Sequence, residues 1–129
     1  MKQEDKELLI KDLCCRLPYK VKLETLEGPQ ELDIRWLSIN MCNIANPYLP
    51  YLYPLSSMTE EQRKEFLNIQ SEERKILTDA LVKYRYEKED NIPIIPFQKH
   101  IDWLNKNHFD YRGLIEKGLA IDATGKNIY

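Results

Sequence analysis

The stretch that decides the fold reads His100-Ile-Asp-Trp-Leu-Asn-Lys-Asn-His-Phe-Asp-Tyr-Arg-Gly-Leu-Ile-Glu-Lys-Gly-Leu-Ala120. It holds both histidines of the chain, one of its two tryptophans and the places where histidine, aspartate and arginine crowd together. Its first half has helical spacing, and its second half begins with alternating polar and aromatic residues. We expect the rest of the chain to be organised around this C-terminal stretch.

The first half is predicted to be a helix. Phe97, Ile101 and Leu104 have the i, i+4, i+7 spacing of one apolar face. Pro96 supplies a suitable backbone angle at the start of the helix and needs no amide partner there. Asn107 is the predicted end, because asparagine tolerates the left-handed conformation that terminates many helices.

Residues 108–112 alternate in a way that is typical of an extended chain. His108, Asp110 and Arg112 would then share one face. Asp110 could orient His108 as a general base while Arg112 holds an anionic group, which is the catalytic set of a hydrolase. The interpretation that we favour is an Asp–Arg pair that fixes a turn, because ion-pair networks often have only structural roles.

Two His-x-Asp dyads, His100/Asp102 and His108/Asp110, suggest a metal site. On a continuous helix, eight residues rise about 12 Å. Zinc–ligand bonds are about 2 Å long, so the two histidines would lie too far apart to share one ion. We therefore predict structural histidines, no metal and no cofactor.

Length and composition predict a single domain over residues 1–129, because a chain of this size buries a core without disulfides. A net charge of −2 argues against the concentrated basic surface that nucleic-acid binding needs. Three cysteines, two of them adjacent at Cys14 and Cys15, favour a reduced compartment and buried thiols. Without a long apolar run or a signal-peptide pattern, we expect a cytoplasmic protein that has no membrane contact.

The N-terminal part is predicted to be a helix followed by a small antiparallel sheet. A leucine stripe places the helix over Glu4 to Leu17, and Pro18 ends it. Alternation predicts a strand over residues 19–25 and a second one over residues 32–36, joined as a hairpin. A third strand over residues 41–44 is an optional addition.

Residues 46–54 contain three prolines and are predicted to be an extended strap. We interpret Tyr48, Tyr51 and Tyr53 as rings laid over the hairpin, and alternatively as a platform that binds a base, a sugar or a peptide. Together with Tyr111 and Arg112, they form the predicted partner-binding surface.

Residues 56–122 are predicted to be the helical part. Thr59-Glu-Glu-Gln62 has the pattern of a capping box, which starts a helix. Two helices with a break near Ser71 are favoured over one helix across residues 60–86, because Glu73 would interrupt the apolar face. The tail over residues 123–129 is expected to fray.

Arg63, Arg74 and Arg85 recur every eleven residues, close to three helical turns. This spacing could form a basic ridge for nucleic acid. Neighbouring glutamates dilute the charge, so a solvated helix face is the preferred interpretation.

The segments Pro50-Tyr-Leu-Tyr-Pro-Leu-Ser-Ser-Met-Thr-Glu-Glu61 and Trp103-Leu-Asn-Lys-Asn-His-Phe-Asp-Tyr-Arg-Gly-Leu-Ile115 resemble parts of short uncharacterised proteins encoded by phages and mobile elements of anaerobic gut bacteria. Those proteins have a second histidine where this chain has Asn107, and an arginine where it has Tyr53. The resemblance covers about a fifth of the chain. It implies a small accessory protein that acts inside a bacterial cell, and no activity is attached to it.

Together these patterns predict an α+β fold with an N-terminal helix, a small antiparallel sheet and a strap over residues 1–55, followed by helices. The leading functional hypothesis is a non-enzymatic interaction protein, a phage or mobile-element accessory factor that modulates a host through a protein partner. The alternatives are a metal-assisted hydrolase that uses His108, Asp110 and Arg112, and a weak nucleic-acid binder.

Overall fold

The computed structural model describes residues 2–42, 46–87 and 99–129, and of residues 80–87 the backbone alone. As predicted, the fold is α+β. In chain order the elements are α1 (Gln3–Arg16), β1 (Lys22–Thr25), β2 (Gly28–Glu31), α2 (Ile34–Cys42), β3 (Tyr51–Pro54), α3 (Glu60–Glu87), α4 (Lys99–Lys106), β4 (Phe109–Asp110) and β5 (Ile121–Asp122). The chain divides into two compact units, residues 1–57 with 104–129 and residues 58–103. The single domain expected from chain length stays a prediction.

α1 forms where an apolar stripe is followed by proline. Leu9 and Leu13 are buried in the core of the first unit. Pro18 has no amide proton to continue the helix, and the chain passes into a short 3-10 turn over Leu17–Tyr19. The predicted helix from Glu4 to Leu17 is therefore confirmed to within one residue at each end.

β1 and β2 form an antiparallel hairpin in which Lys22 pairs with Glu31 and Thr25 pairs with Gly28. Gly28 has a φ of 89°, which glycine adopts without steric cost, so the chain reverses over the two residues 26–27. The predicted hairpin is confirmed, but its second strand was placed too late, at residues 32–36.

α2 occupies the region that alternation predicted as a strand. The Asp33 carboxylate accepts a hydrogen bond from the Trp36 amide (2.9 Å) and caps the helix. Trp36 and Leu37 are buried side by side, whereas Ile34 is 67% exposed. Burial here follows a helical period, so the strand over residues 32–36 is wrong. The optional third strand is also wrong at Met41 and Cys42, which belong to α2, and the rest of it falls outside the described residues.

β3 is the central strand of a three-stranded parallel sheet, in the order β4-β3-β5. The Tyr53 amide donates to the His108 carbonyl (2.8 Å), and the Pro50 carbonyl accepts from the Ile121 amide (2.8 Å). Pro50 precedes the strand and Pro54 is its last residue, and neither contributes an amide donor. The expected strap without a central strand is therefore wrong for Tyr51–Pro54, because the prolines avoid the positions that must donate.

The core of the first unit is aliphatic with one tryptophan. It gathers side chains from α1, the hairpin, α2, β3 and the turn before β5. Its buried members are Leu9, Leu13, Val21, Leu23, Leu32, Trp36, Leu37, Leu52, Leu114, Leu119 and Ala120.

In the second unit, α3 begins at the predicted capping box. The Thr59 amide donates to the Gln62 side chain (2.9 Å), and the Gln62 amide donates to Thr59 Oγ1 (3.2 Å). The helix then runs unbroken for 28 residues, so the expected break near Ser71 is wrong. Glu73 does not interrupt a packed face, because its carboxylate is buried and hydrogen-bonded to His100.

The end of α4 and the C-terminus depart from prediction. The left-handed residue after α4 is His108, with φ 62°, rather than Asn107. The predicted start at Phe97 lies outside the described residues. The expected fraying of residues 123–129 is wrong, because Ala123 is buried and the Tyr129 hydroxyl is hydrogen-bonded inside the first unit.

Candidate functional site

Asp110 closes the turn that follows β4. Its Oδ1 accepts hydrogen bonds from the amides of Arg112 (3.2 Å) and Leu114 (3.0 Å), and its Oδ2 accepts one from the amide of Ile115 (2.9 Å). The chain reverses at Gly113, whose φ of 73° suits glycine. The Asp110 carboxylate thus serves the backbone of this turn, and none of these bonds involves an imidazole.

Arg112 is turned towards α1. Its Nε donates to Asp12 Oδ1 (3.1 Å). The same carboxylate accepts a second bond from Arg16 Nε (2.7 Å), and Arg16 Nη2 donates to the Phe109 carbonyl (2.7 Å). The side chains of Asp12 and Arg16 are 0% exposed. A buried network of two arginines and one aspartate therefore fastens α1 to β4, and the expected partner of Arg112, Asp110, is not part of it.

This network was not predicted from the sequence. Asp12 and Arg16 are three and seven residues beyond Leu9, so they lie on the same helical face as Leu9 and Leu13. A charged pair at i, i+4 on an apolar stripe is the signal that would have indicated a buried ion pair.

Tyr111 packs against both arginines. The guanidinium carbons of Arg16 and Arg112 lie 5.2 and 5.1 Å from its ring centroid, within the range of cation–π attraction. Its hydroxyl donates to Asn105 Oδ1 (2.9 Å). Tyr111 is thereby held in the same network that fastens α1 to β4.

The two adjacent cysteines are exposed, and the expectation of buried thiols is wrong. Cys15 Sγ lies 3.5 Å from Arg112 Nη2, so it has the basic neighbour that the sequence did not reveal. Cys14 and Cys15 occupy exposed positions of α1, outside the buried stripe.

His108 is held as a stacked, uncharged ring. Its imidazole lies 3.7 Å from the Tyr129 ring, centroid to centroid, with the two planes 11° apart. Burial lowers the pKa of His108 to about 4, and the positive charges of Arg16 and Lys22 act in the same direction. Its Nδ1 is buried and has no hydrogen-bond partner among the described residues. A histidine with so low a pKa is a weak general base at neutral pH.

Tyr129 fixes the C-terminus against the hairpin and β3. Its hydroxyl accepts a hydrogen bond from the Lys22 amide (2.8 Å) and donates one to the Tyr51 carbonyl (2.8 Å). Lys22 Nζ also donates to the Ile128 carbonyl (2.8 Å). Burial raises the pKa of the Tyr129 hydroxyl. The hydroxyl therefore stays protonated and keeps its donor role.

The three tyrosines of the predicted binding surface are used in packing. The Tyr48 ring meets Trp36 edge-on, with centroids 5.6 Å apart, and its amide and carbonyl are hydrogen-bonded to the Asn40 side chain. Tyr51 is 6% exposed. Tyr53 is partly buried and tilted against Phe109, with centroids 6.3 Å apart. Each ring thus has an internal neighbour or is itself buried.

A groove opens between α1 and α2 in the first unit. It encloses about 390 Å³, within the range of binding pockets in proteins. Apolar lining comes from Leu9, Ile10, Met41 and Pro47. Met41 is 55% exposed although it is a large apolar residue. The groove was not predicted, because it depends on how two helices pack and not on either helix alone.

A smaller recess lies beside His100 in the second unit. It encloses about 170 Å³ and is lined by Gln70, Glu73, Arg74 and His100. Glu73 Oε1 accepts a hydrogen bond from the His100 amide (2.8 Å), and Glu73 Oε2 lies 2.8 Å from His100 Nδ1. His100 thus pairs with Glu73, a residue of the preceding helix, instead of forming the expected dyad with Asp102.

Within residues 2–42, 46–87 and 99–129, no three histidine, cysteine, aspartate or glutamate side chains converge as metal ligands. Among the described helices, none combines the length and the apolar character needed to cross a bilayer. No family model, curated protein or solved structure matches the chain.

Proposed function

We propose that this protein is a non-enzymatic interaction protein and that it binds an amphipathic helix of a protein partner in the groove between α1 and α2. The observation that carries the proposal is the groove itself. It is an open concavity of about 390 Å³ with apolar lining, next to an exposed methionine. Exposed apolar surface in a concave setting is typical of binding sites.

The shape and chemistry of the groove suit a helix. Ile10 and Met41 contribute apolar surface from two neighbouring helices, which is the arrangement that accepts the apolar face of a third helix. Methionine adapts its shape to different partners. Lys6 and Lys11 also line the groove, so acidic residues beside the apolar face of the partner would meet opposite charges.

The use of the predicted catalytic set supports an interaction protein over a hydrolase. Asp110 is engaged by backbone amides, Arg112 by Asp12, and His108 by the Tyr129 ring. An acid–base mechanism needs a histidine and a carboxylate in contact with each other and with a substrate. These three side chains are instead turned to three different internal partners.

The cellular setting follows from the resemblance to phage and mobile-element proteins. We propose a host-modulating or accessory factor in the cytoplasm of a bacterial cell, with a host or phage protein as its partner. The net charge of −2 favours a protein partner over nucleic acid. Tyr111 and Arg112 remain a candidate second contact, since both are partly exposed.

The test compares two charge insertions on α2. Met41→Glu places a carboxylate in the groove, and Ile34→Glu places the same group at an exposed apolar position that does not line it. The wild-type protein is cross-linked in lysate of a gut anaerobe, the captured protein is purified, and its affinity for each variant is measured by calorimetry. We expect Met41→Glu to weaken binding at least about 10-fold, because burying an unpaired charge is costly, and Ile34→Glu to bind as the wild type does.

Charge reversal provides the second arm. Lys11→Glu should lower the association rate constant with an acidic partner. It should also reduce the dependence of that rate constant on salt concentration. Equal affinity of wild type, Met41→Glu and Ile34→Glu would exclude the groove as the binding site. Turnover of a phosphoester or glycoside that is lost in His108→Ala would refute the non-enzymatic function.

A further inference from the structure

We infer that the recess beside His100 in the second unit is a binding site for inorganic hydrogen phosphate. Arg74, Gln70 and His100 would contact the anion. This site is independent of the groove between α1 and α2, since each belongs to a different unit of the chain.

The first step is the fixed orientation of the imidazole. A carboxylate accepts hydrogen bonds and donates none, so the 2.8 Å contact between Glu73 Oε2 and His100 Nδ1 places a proton on Nδ1. The other Glu73 oxygen accepts from the His100 amide (2.8 Å). Glu73 is 5% exposed and the His100 side chain is 28% exposed, so the carboxylate is buried while the imidazole reaches the surface. His100 therefore presents a defined edge, with Nε2 as the remaining ring nitrogen.

The second step is the arrangement of donors on α3. Gln70 and Arg74 are four residues apart, and Glu73 is three residues after Gln70, so all three lie on one side of the helix. Arg74 is exposed and forms no ion pair with another described residue. Gln70 and Arg74 thus line the same recess as His100, and their side chains carry an amide and a guanidinium that can donate to an anion there.

The third step is the match to phosphate. A guanidinium binds two oxygens of one tetrahedral anion, and an amide NH₂ adds a further donor. With its proton on Nδ1, neutral His100 offers Nε2 as an acceptor, so the ligand must supply a hydroxyl. Hydrogen phosphate carries such a hydroxyl, whereas sulfate at neutral pH does not.

The structural alternative is that Glu73 and His100 only join α3 to α4. This alternative predicts no ligand response at Nε2 and no role for the exposed Arg74. The chain contains two histidines, so His108 serves as an internal reference in the same sample.

The experiment follows both imidazoles in the ¹⁵N-labelled chain of residues 1–129 by long-range ¹H–¹⁵N correlation. Sodium phosphate is titrated at constant ionic strength against sodium chloride, and His108→Asn assigns the signals by loss of one imidazole. We expect a saturable shift of His100 Nε2 with His108 unmoved. Arg74→Gln should weaken the apparent affinity at least about 10-fold, because it removes the main charged contact. Arg63→Gln, an equal charge change at an exposed position on the same helix, should leave it unchanged.

Three results would overturn the site. One is a His100 signal that does not saturate with phosphate. Another is an equal loss of affinity in Arg63→Gln and Arg74→Gln, which would indicate nonspecific charge attraction. The third is sulfate binding as tightly as phosphate at neutral pH, because the required hydroxyl donor would then be absent.

Discussion

Each of the two histidines of this chain has a carboxylate and an arginine near it, in sequence or in space, but the hydrogen bonds around the two histidines differ. His108 is followed by Asp110 and Arg112, while His100 is paired with Glu73, beside Arg74. In the first set, Asp110 accepts hydrogen bonds from backbone amides of the turn. Arg112 donates a hydrogen bond to Asp12. In the second set, Glu73 and His100 are hydrogen-bonded to each other, and Arg74 is exposed beside a recess.

This difference teaches that residue types in a row do not define a site. What matters is the hydrogen-bonding capacity that the fold leaves unused at a concave surface. The polar side chains that alternate over residues 108–112 have structural contacts within the fold. Glu73, which was predicted to interrupt a helix, instead orients the imidazole of His100.

The largest expected effect on stability comes from a substitution at Asp12, the buried partner of Arg112. Asp12→Asn keeps the shape of the side chain but leaves Arg16 and Arg112 without a carboxylate. Removing one partner of a buried ion pair costs about 3–5 kcal/mol, so we expect a loss of this size in the free energy of unfolding, measured with urea. Glu4→Gln, on the exposed side of the same helix, should stay within about 0.5 kcal/mol of wild type. A loss below about 1 kcal/mol in Asp12→Asn would contradict a structural role for the network.

An intermediate effect compares the two arginines directly. Arg112→Gln removes a bond to a buried carboxylate, and we expect a loss of about 2 kcal/mol in the free energy of unfolding, typical of hydrogen bonds to charged groups. Arg74→Gln removes an exposed arginine that forms no ion pair within the described part of the chain, so its loss should be below about 0.5 kcal/mol. If both substitutions cost the same, the contrast between a structural and an available arginine is lost.

The smallest expected effect concerns pH. The folded-state pKa of His108 is about 4, below its ordinary value of 6.5, so between these pH values the unfolded chain binds a proton that the folded chain does not. The stability contributed by this group is present above pH 6.5 and is lost as the pH falls towards 4. The slope is at most about 1.4 kcal/mol per pH unit, and smaller here because the ring is partly exposed.

His108→Asn isolates this contribution, because asparagine tolerates the left-handed backbone at position 108. Urea unfolding between pH 7 and pH 4.5 should give a shallower decline in stability for His108→Asn than for wild type. Parallel curves would show that His108 titrates alike in the folded and unfolded chains.

Local patterns predicted the elements that depend on neighbours in sequence. The capping box at Thr59 and Gln62 was predicted because its two bonds join residues three apart. α1 was predicted because Leu9 and Leu13 repeat with a helical period and Pro18 follows. The hairpin was predicted in kind but not in register, since Leu32 and Trp36 alternate by coincidence with a strand.

The candidate site was less predictable than the fold. Nothing near His100 in sequence points to Glu73, which is 27 residues away. The binding partners of Arg112 and Arg16 likewise lie on distant segments. The helical face shared by Leu9, Asp12 and Arg16 was a sequence signal for a buried ion pair. It did not identify Arg112 or the Phe109 carbonyl as the further partners.

The sequence by itself determined the α+β composition, the start of α3 and the stripe that buries α1, because these depend on propensity, capping and periodicity within a few residues. The tertiary structure alone decided that β3 is a central strand, that Tyr129 is anchored by Lys22 and Tyr51, and that one histidine is packed while the other faces a recess. The physical reason is that parallel strand pairing and buried hydrogen bonds join distant segments, so the partner of each group is chosen by packing and not by its neighbours in the chain.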